Sequence, residues 1–136
     1  MFVDNDMKTE VYFPAETSSA RPKTILLVED EVSVREIEIQ LLGSAGYRVL
    51  AAEDARGANQ LFGDHCAEID LLLADMIFPG STGVELYREF KKTNPALKAI
   101  IVSGGLREDC GLGGEIAFLQ KPYRMSALIK KVKDAI

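Results

Sequence analysis

Four apolar runs without a polar interruption constrain this chain most: Ile25-Leu26-Leu27-Val28, Leu71-Leu72-Leu73-Ala74, Ala99-Ile100-Ile101-Val102 and Ile116-Ala117-Phe118-Leu119. A half-exposed strand alternates apolar and polar residues, whereas an unbroken run suits a strand buried on both faces of a parallel sheet. Tyr47–Ala51 is a fifth, short strand. The segments between the runs have helical spacing. Val34, Ile37, Leu41 and Ala45 follow Ser33-Val34-Arg35-Glu36, which fits a capping box, and Gly46 sits where a left-handed C-terminal cap belongs. Asp54 can cap a weaker helix carrying Ala58, Leu61 and Phe62. Thr82-Gly83-Val84-Glu85 is a second capping box, and Asn94-Pro95 stops the helix that bears Leu86, Tyr87 and Phe90. Met125, Leu128, Ile129, Val132 and Ile136 share one side of a last helix. Its C-terminal lysines, 130, 131 and 133, suit the helix dipole. Strands alternating with helices predict an α/β fold: a five-stranded parallel sheet with right-handed crossovers and helices on both faces.

At 136 residues, 47% of them hydrophobic and 27% charged, the chain is one globular domain's worth. A net charge of -5 speaks against a nucleic-acid surface. No apolar run reaches membrane-spanning length, and no signal-peptide core is present. Cys66 and Cys110 have no metal or redox spacing and read as two reduced thiols, which places the chain in the cytoplasm. Residues 1–23 are polar and acidic and read as a flexible tail or linker, with a short strand possible at Thr9–Pro14. The folded domain is expected over residues 24–136.

The chemistry lies at the strand ends. The first run ends in Glu29 and Asp30, the second in Asp75, the third in Ser103, and the fourth stops just before Lys121. In a parallel sheet these ends share one edge, where open α/β sheets bind ligands. Three carboxylates gathered there repel one another. A hard divalent cation such as Mg²⁺ relieves that repulsion. With Mg²⁺ and one lysine the pocket is nearly neutral and can receive a dianionic phosphoryl group, for which positioning and charge neutralisation are most of the task. Asp75 is the candidate nucleophile. His65 and Lys130–Lys133 have the simpler reading of a surface side chain and a solvated helix end.

Glu29-Asp30-Glu31 after the first strand, Asp75-Met-Ile-Phe-Pro-Gly-Ser-Thr-Gly83, Ser103, Phe118 and Lys121-Pro122 together resemble the receiver domains of two-component response regulators. The resemblance spans about residues 24–136. It implies a flavodoxin-like (βα)5 three-layer sandwich with strand order 2-1-3-4-5. It implies that Asp75 takes a phosphoryl group from a phosphohistidine of a histidine kinase or histidine phosphotransfer domain. Asp30 and Asp75 would bind Mg²⁺ directly, Glu29 through a water, and Ile77 through its backbone carbonyl. Lys121 would pair with one phosphoryl oxygen and Ser103 donate to another. Ser103 and Phe118 would form the conformational switch, and the Lys121–Pro122 bond would be cis.

Two departures stand out. The segment from Ser103 to Lys121 is shorter than in the usual receiver and holds five glycines between 104 and 115. Glycine disfavours helix interiors, so the helix before the last strand is expected to be shortened or absent. Dimerisation through that face is then in doubt, leaving a monomer or a weak dimer. Ile77 is apolar beside the phosphoryl position, which predicts slow self-dephosphorylation. Upstream, Lys8-Thr9-Glu10-Val11-Tyr12-Phe13-Pro14 resembles the last strand of a histidine-kinase ATP-binding domain. That favours the C-terminal receiver of a hybrid sensor histidine kinase over a single-domain response regulator. A Mg²⁺-dependent phosphohydrolase normally has Asp-x-Asp after its first strand, where this chain has Glu29-Asp30-Glu31. A flavin or dinucleotide site needs a phosphate loop there, and those acids repel phosphate.

Overall fold

The computed structural model describes residues 9–12, 21–105 and 114–136. Among the described residues the main sheet has six strands: β1 Thr9–Tyr12, β2 Thr24–Val28, β3 Arg48–Ala52, β4 Ile69–Asp75, β7 Lys98–Ser103 and β8 Ala117–Gln120. They lie in the order β1-β3-β2-β4-β7-β8. β3, β2, β4, β7 and β8 are parallel and have the expected 2-1-3-4-5 order. The sixth strand comes from the segment expected as a linker. Thr9–Tyr12 pairs antiparallel with β3, Thr9 opposite Ala52 and Tyr12 opposite Val49, on an edge strand that otherwise offers unpaired backbone groups.

Helices α1 Val32–Ser44, α2 Ala55–His65, α3 Gly83–Thr93 and α4 Met125–Ala135 complete three layers. Each central strand feeds two cores, because successive side chains point to opposite faces. Leu26, Val28, Leu72 and Ala74 pack with Ala58, Leu61 and Phe62 of α2 and with Val84, Tyr87 and Phe90 of α3. Ile25, Leu27, Leu71 and Leu73 pack with Ile39 and Leu42 of α1 and with Leu128 and Val132 of α4. The helix expected to be shortened or absent before the last strand falls largely on residues 106–113, which lie outside the described residues, as does Cys110. Cys66 is a free thiol.

The helix ends follow the expected chemistry with one exception. Thr82 Oγ1 accepts from the Glu85 N–H at 3.1 Å and Asp54 Oδ1 from the Gly57 N–H at 2.8 Å. Gly46 takes φ +100°, and Tyr47 N–H reaches Leu42 O at 3.1 Å, closing α1 as a Schellman turn. The exception is the start of α1. Its N-cap is Glu31, without a side-chain cap, so the Ser33–Glu36 box does not form. The buried face also differs from the expected one: Arg35, Glu38, Ile39 and Leu42 turn inward, while Ile37 is 53% exposed. Two periodic stripes run along this helix. The one carrying two charges wins because those charges find partners next to the strand ends.

Candidate functional site

Parallel register brings the strand ends to one edge. Val28 pairs with Ala74, Asp75 with Val102, and Ser103 with Gln120. A cavity of about 310 Å³ opens there, lined by Glu29, Asp30, Asp75, Ile77, Ser103 and Lys121 among others. One carboxylate oxygen each from Glu29, Asp30 and Asp75 lies within 4.8 Å of the other two. Lys121 Nζ sits 3.1 Å from Asp75 Oδ1. The sequence-expected acids, lysine and serine therefore line one pocket.

The surrounding backbone fixes these groups. Glu29 N–H donates to Ala52 O at 3.0 Å, Met76 N–H to Val102 O at 2.8 Å, and Lys121 N–H to Ser103 O at 2.8 Å. The buried Arg35 donates from Nη1 to Glu29 O at 2.8 Å and holds the acidic corner from below. After Asp75 the chain forms a hairpin, β5 Ile77–Phe78 and β6 Ser81–Thr82, turned by Pro79-Gly80 with Gly80 at φ +95°. Proline followed by a positive-φ glycine is the demand of a type II turn. Ile77 stands at the mouth with a 77% exposed side chain. Ser103 Oγ accepts from the Gly105 N–H at 3.0 Å, which leaves its own proton available to an acceptor in the cavity. Phe118 is half-buried on β8, opposite Ile101. The Lys121–Pro122 bond is cis, as expected.

Charge crowding is visible in the ionisation of the site. Burial, then the negative charge of Asp75, pushes Glu29 up to about 8. Burial pulls Lys121 down, but its hydrogen bond to Asp75 and the surrounding carboxylates outweigh that and the net shift is upward. A buried carboxylate that keeps its proton for want of a counter-charge is what a hard cation corrects. The residues present thus fit Mg²⁺: Glu29, Asp30 and Asp75 each offer one carboxylate oxygen to the same point.

Gly83 begins α3 directly under Asp75. A Cβ there would lie 2.7 Å from Asp75 O and 2.7 Å from Ile101 Cδ1. Backbone cannot yield as a side chain does. Gly83→Ala is expected to cost about 1–3 kcal/mol, read as a melting temperature lower by several degrees, and to slow any reaction at Asp75. An unchanged melting temperature would contradict the close packing.

Two buried charged residues outside the expected set border the site. Arg35 is one. The other is Glu38, on α1, which accepts a hydrogen bond from Tyr123 OH at 2.5 Å. Their signal in the sequence was the 35–38/39–42 stripe, which competes with the more apolar 34–37–41 stripe.

Residues 25–133 match the family model for the response regulator receiver domain. Sensor kinase CckA of Brucella abortus (strain 2308) is 33% identical over 117 residues, which are 83% of this chain and 12% of that protein. The response regulator receiver protein CpdR of the same organism is 28% identical over 84% of this chain and 97% of its own length. The crystal structure of the receiver domain from the hybrid histidine kinase CckA superposes with a TM-score of 0.72 at 32% identity, covering 82% of this chain and 97% of that one. The chain spans only a small part of the full-length kinase it matches. Family match, strand order and the acidic edge agree: this chain belongs to the response regulator receiver domains of two-component signalling.

Proposed function

We propose that Asp75 is the phosphoacceptor of this receiver. A carboxylate oxygen of Asp75 attacks the phosphorus of a phosphohistidine on a histidine kinase or histidine phosphotransfer domain. The N–P bond breaks, the imidazole leaves and recovers a proton, and an acyl phosphate remains on Asp75. The observation that carries this is the convergence of Glu29, Asp30 and Asp75 with Lys121, whose ammonium is 3.1 Å from Asp75. Bound Mg²⁺ supplies neutralising charge for the incoming phosphoryl oxygens. Asp30, Asp75, the Ile77 carbonyl and, through water, Glu29 would hold it. Lys121 pairs with one phosphoryl oxygen. Ser103 donates its hydroxyl to another and draws its loop inward, and Phe118 turns into the space that the loop vacates.

The product is a switched protein and not a released small molecule, so the domain is a regulatory phosphoacceptor that catalyses only its own phosphorylation and dephosphorylation. Its partners are phosphohistidine proteins. Nucleic acid is not expected among them, given the net charge of -5. Among the described residues no helix is long and apolar enough to cross a membrane, and the reading is of a cytoplasmic domain. The similarity to the CckA receiver and the kinase-like Lys8–Pro14 stretch support a place in a hybrid histidine kinase. The match to nearly the whole of CpdR is the observation on the side of a single-domain regulator.

The test compares a small phosphodonor, acetyl phosphate, with a phosphomonoester, p-nitrophenyl phosphate. One stable adduct from the first and no turnover of the second is the expected result. Repeated turnover of the monoester would instead identify a phosphohydrolase.

Ile77 sets how long the phosphate lasts. Its exposed side chain cannot hydrogen-bond a water beside the phosphorus. The acyl phosphate is expected to survive for minutes or longer, and Ile77→Asn to shorten its life. Decay within seconds in the unaltered protein, followed by loss of the adduct in mass spectra, contradicts this.

A further inference from the structure

We propose that Glu38 and Tyr123 are a positioning pair for phosphoryl transfer: a carboxyl buried on α1 holds the phenol of Tyr123 and thereby the segment that carries Lys121. The inference rests on the reading of Asp75 as phosphoacceptor.

Residues Lys121–Arg124 connect β8 to α4 and have no helix or strand of their own. The segment is tied down on two sides. Lys121 N–H donates to Ser103 O at 2.8 Å, toward β7. Tyr123 OH donates to Glu38 Oε2 at 2.5 Å, toward α1 on the other flank. α4 starts at Met125 with Arg124 as its N-cap, which makes no side-chain capping bond, so no capping side chain steadies the segment from that end. The Lys121 side chain is long and 42% exposed, and its ammonium reaches Asp75 from this segment. A flexible side chain on a loose segment delivers its charge less often than one on a fixed segment.

Packing alone does not account for the pair. Glu38 is 2% exposed on the same face as Ile39 and Leu42, and its Oε1 has no hydrogen-bond partner. Burying a carboxyl with one oxygen unsatisfied weakens a fold. Leucine at 38 and phenylalanine at 123 would fill this space without that penalty. The carboxyl is also inside the field of the site. Burial raises its proton affinity, the Tyr123 hydrogen bond lowers it, Asp75 raises it, and Lys121 lowers it. Burial and then Glu38 hold the Tyr123 phenol well above the ordinary tyrosine range, so it stays a donor.

The full chain is tested as wild type, Tyr123→Phe, Glu38→Leu and Glu38→Gln, with Mg²⁺ and acetyl phosphate. Tyr123→Phe removes one hydroxyl, and its maximal rate at saturating Mg²⁺ is expected to fall roughly five- to tenfold with little change in the Mg²⁺ midpoint. Glu38→Leu should match it. Glu38→Gln keeps an acceptor for the phenol and should recover most of the rate. Acylation of Lys121 by an amine reagent, read by peptide mass, should rise in Tyr123→Phe and Glu38→Leu only. Wild-type rate and wild-type Lys121 labelling in Tyr123→Phe overturn the pair, including when that variant merely melts lower. Failure of the wild type to take up phosphate overturns the phosphoacceptor reading instead, and the labelling of Lys121 still decides the pair.

Discussion

Asp75→Ala is expected to take up no phosphate and, without Mg²⁺ near pH 8, to melt higher than the wild type. The first half follows from loss of the nucleophile. The second follows from the crowding. Asp75 lies 9% exposed beside Glu29, which is 4% exposed, and its charge is the second cause, after burial, of Glu29 holding its proton. Removing Asp75 relieves that repulsion. It also ends the ion pair with Lys121, but that lysine is 42% exposed and such pairs contribute little. The balance favours the variant by on the order of 1 kcal/mol. Added Mg²⁺ should stabilise the wild type and leave Asp75→Ala nearly unmoved. Thermal melts with and without Mg²⁺ check this, and a metal-free variant that melts well below the wild type would contradict the crowding argument.

The metal-free protein should lose stability as pH rises from about 5 to about 8. The direction comes from Glu29. Its pKa is near 8 in the folded chain and 4.5 as the ordinary value. Between those limits the folded state binds more protons than the unfolded one. The stabilisation is therefore complete below the lower limit and is lost as pH climbs through the upper. Each pH unit in that window is worth up to about 1.4 kcal/mol. Glu38, whose proton affinity burial also raises, acts in the same direction. Mg²⁺ competes with the Glu29 proton, so its stabilising effect should grow across the same window. Glu29→Gln should flatten both dependences. Melting temperatures at several pH values, with Mg²⁺ or a chelator, decide the matter. Stability that rises toward pH 8 without metal would show that Glu29 is already ionised.

The parallel sheet and the meeting of Glu29, Asp30, Asp75, Ser103 and Lys121 were legible in the sequence because both follow from one pattern, whereas the strand order followed only from the resemblance to receiver domains. Unbroken apolar runs specify parallel strands, and parallel strands deliver their ends to one edge. Thr82 and Asp54 were legible as caps because capping is local chemistry. The inward face of α1 was not. Arg35 and Glu38 are buried because of partners far away in sequence, the Glu29 carbonyl and the Tyr123 phenol, and hydropathy cannot anticipate a paired charge. Ser33 failed as a cap because the helix starts two residues earlier than that cap requires, at Val32, and Glu31 occupies the capping position. The edge strand Thr9–Tyr12 was visible only as a possibility, because its partner β3 is set by the fold and not by neighbouring residues.

The central claim is that phosphate goes to Asp75 and nowhere else. The protein with Mg²⁺ and acetyl phosphate is reduced with borohydride, which converts an acyl phosphate of aspartate to homoserine, and its peptides are weighed. The account predicts homoserine at position 75 alone, absent when a chelator replaces Mg²⁺. An unmodified Asp75, or phosphate recovered on Glu29, Asp30 or His65, would contradict it.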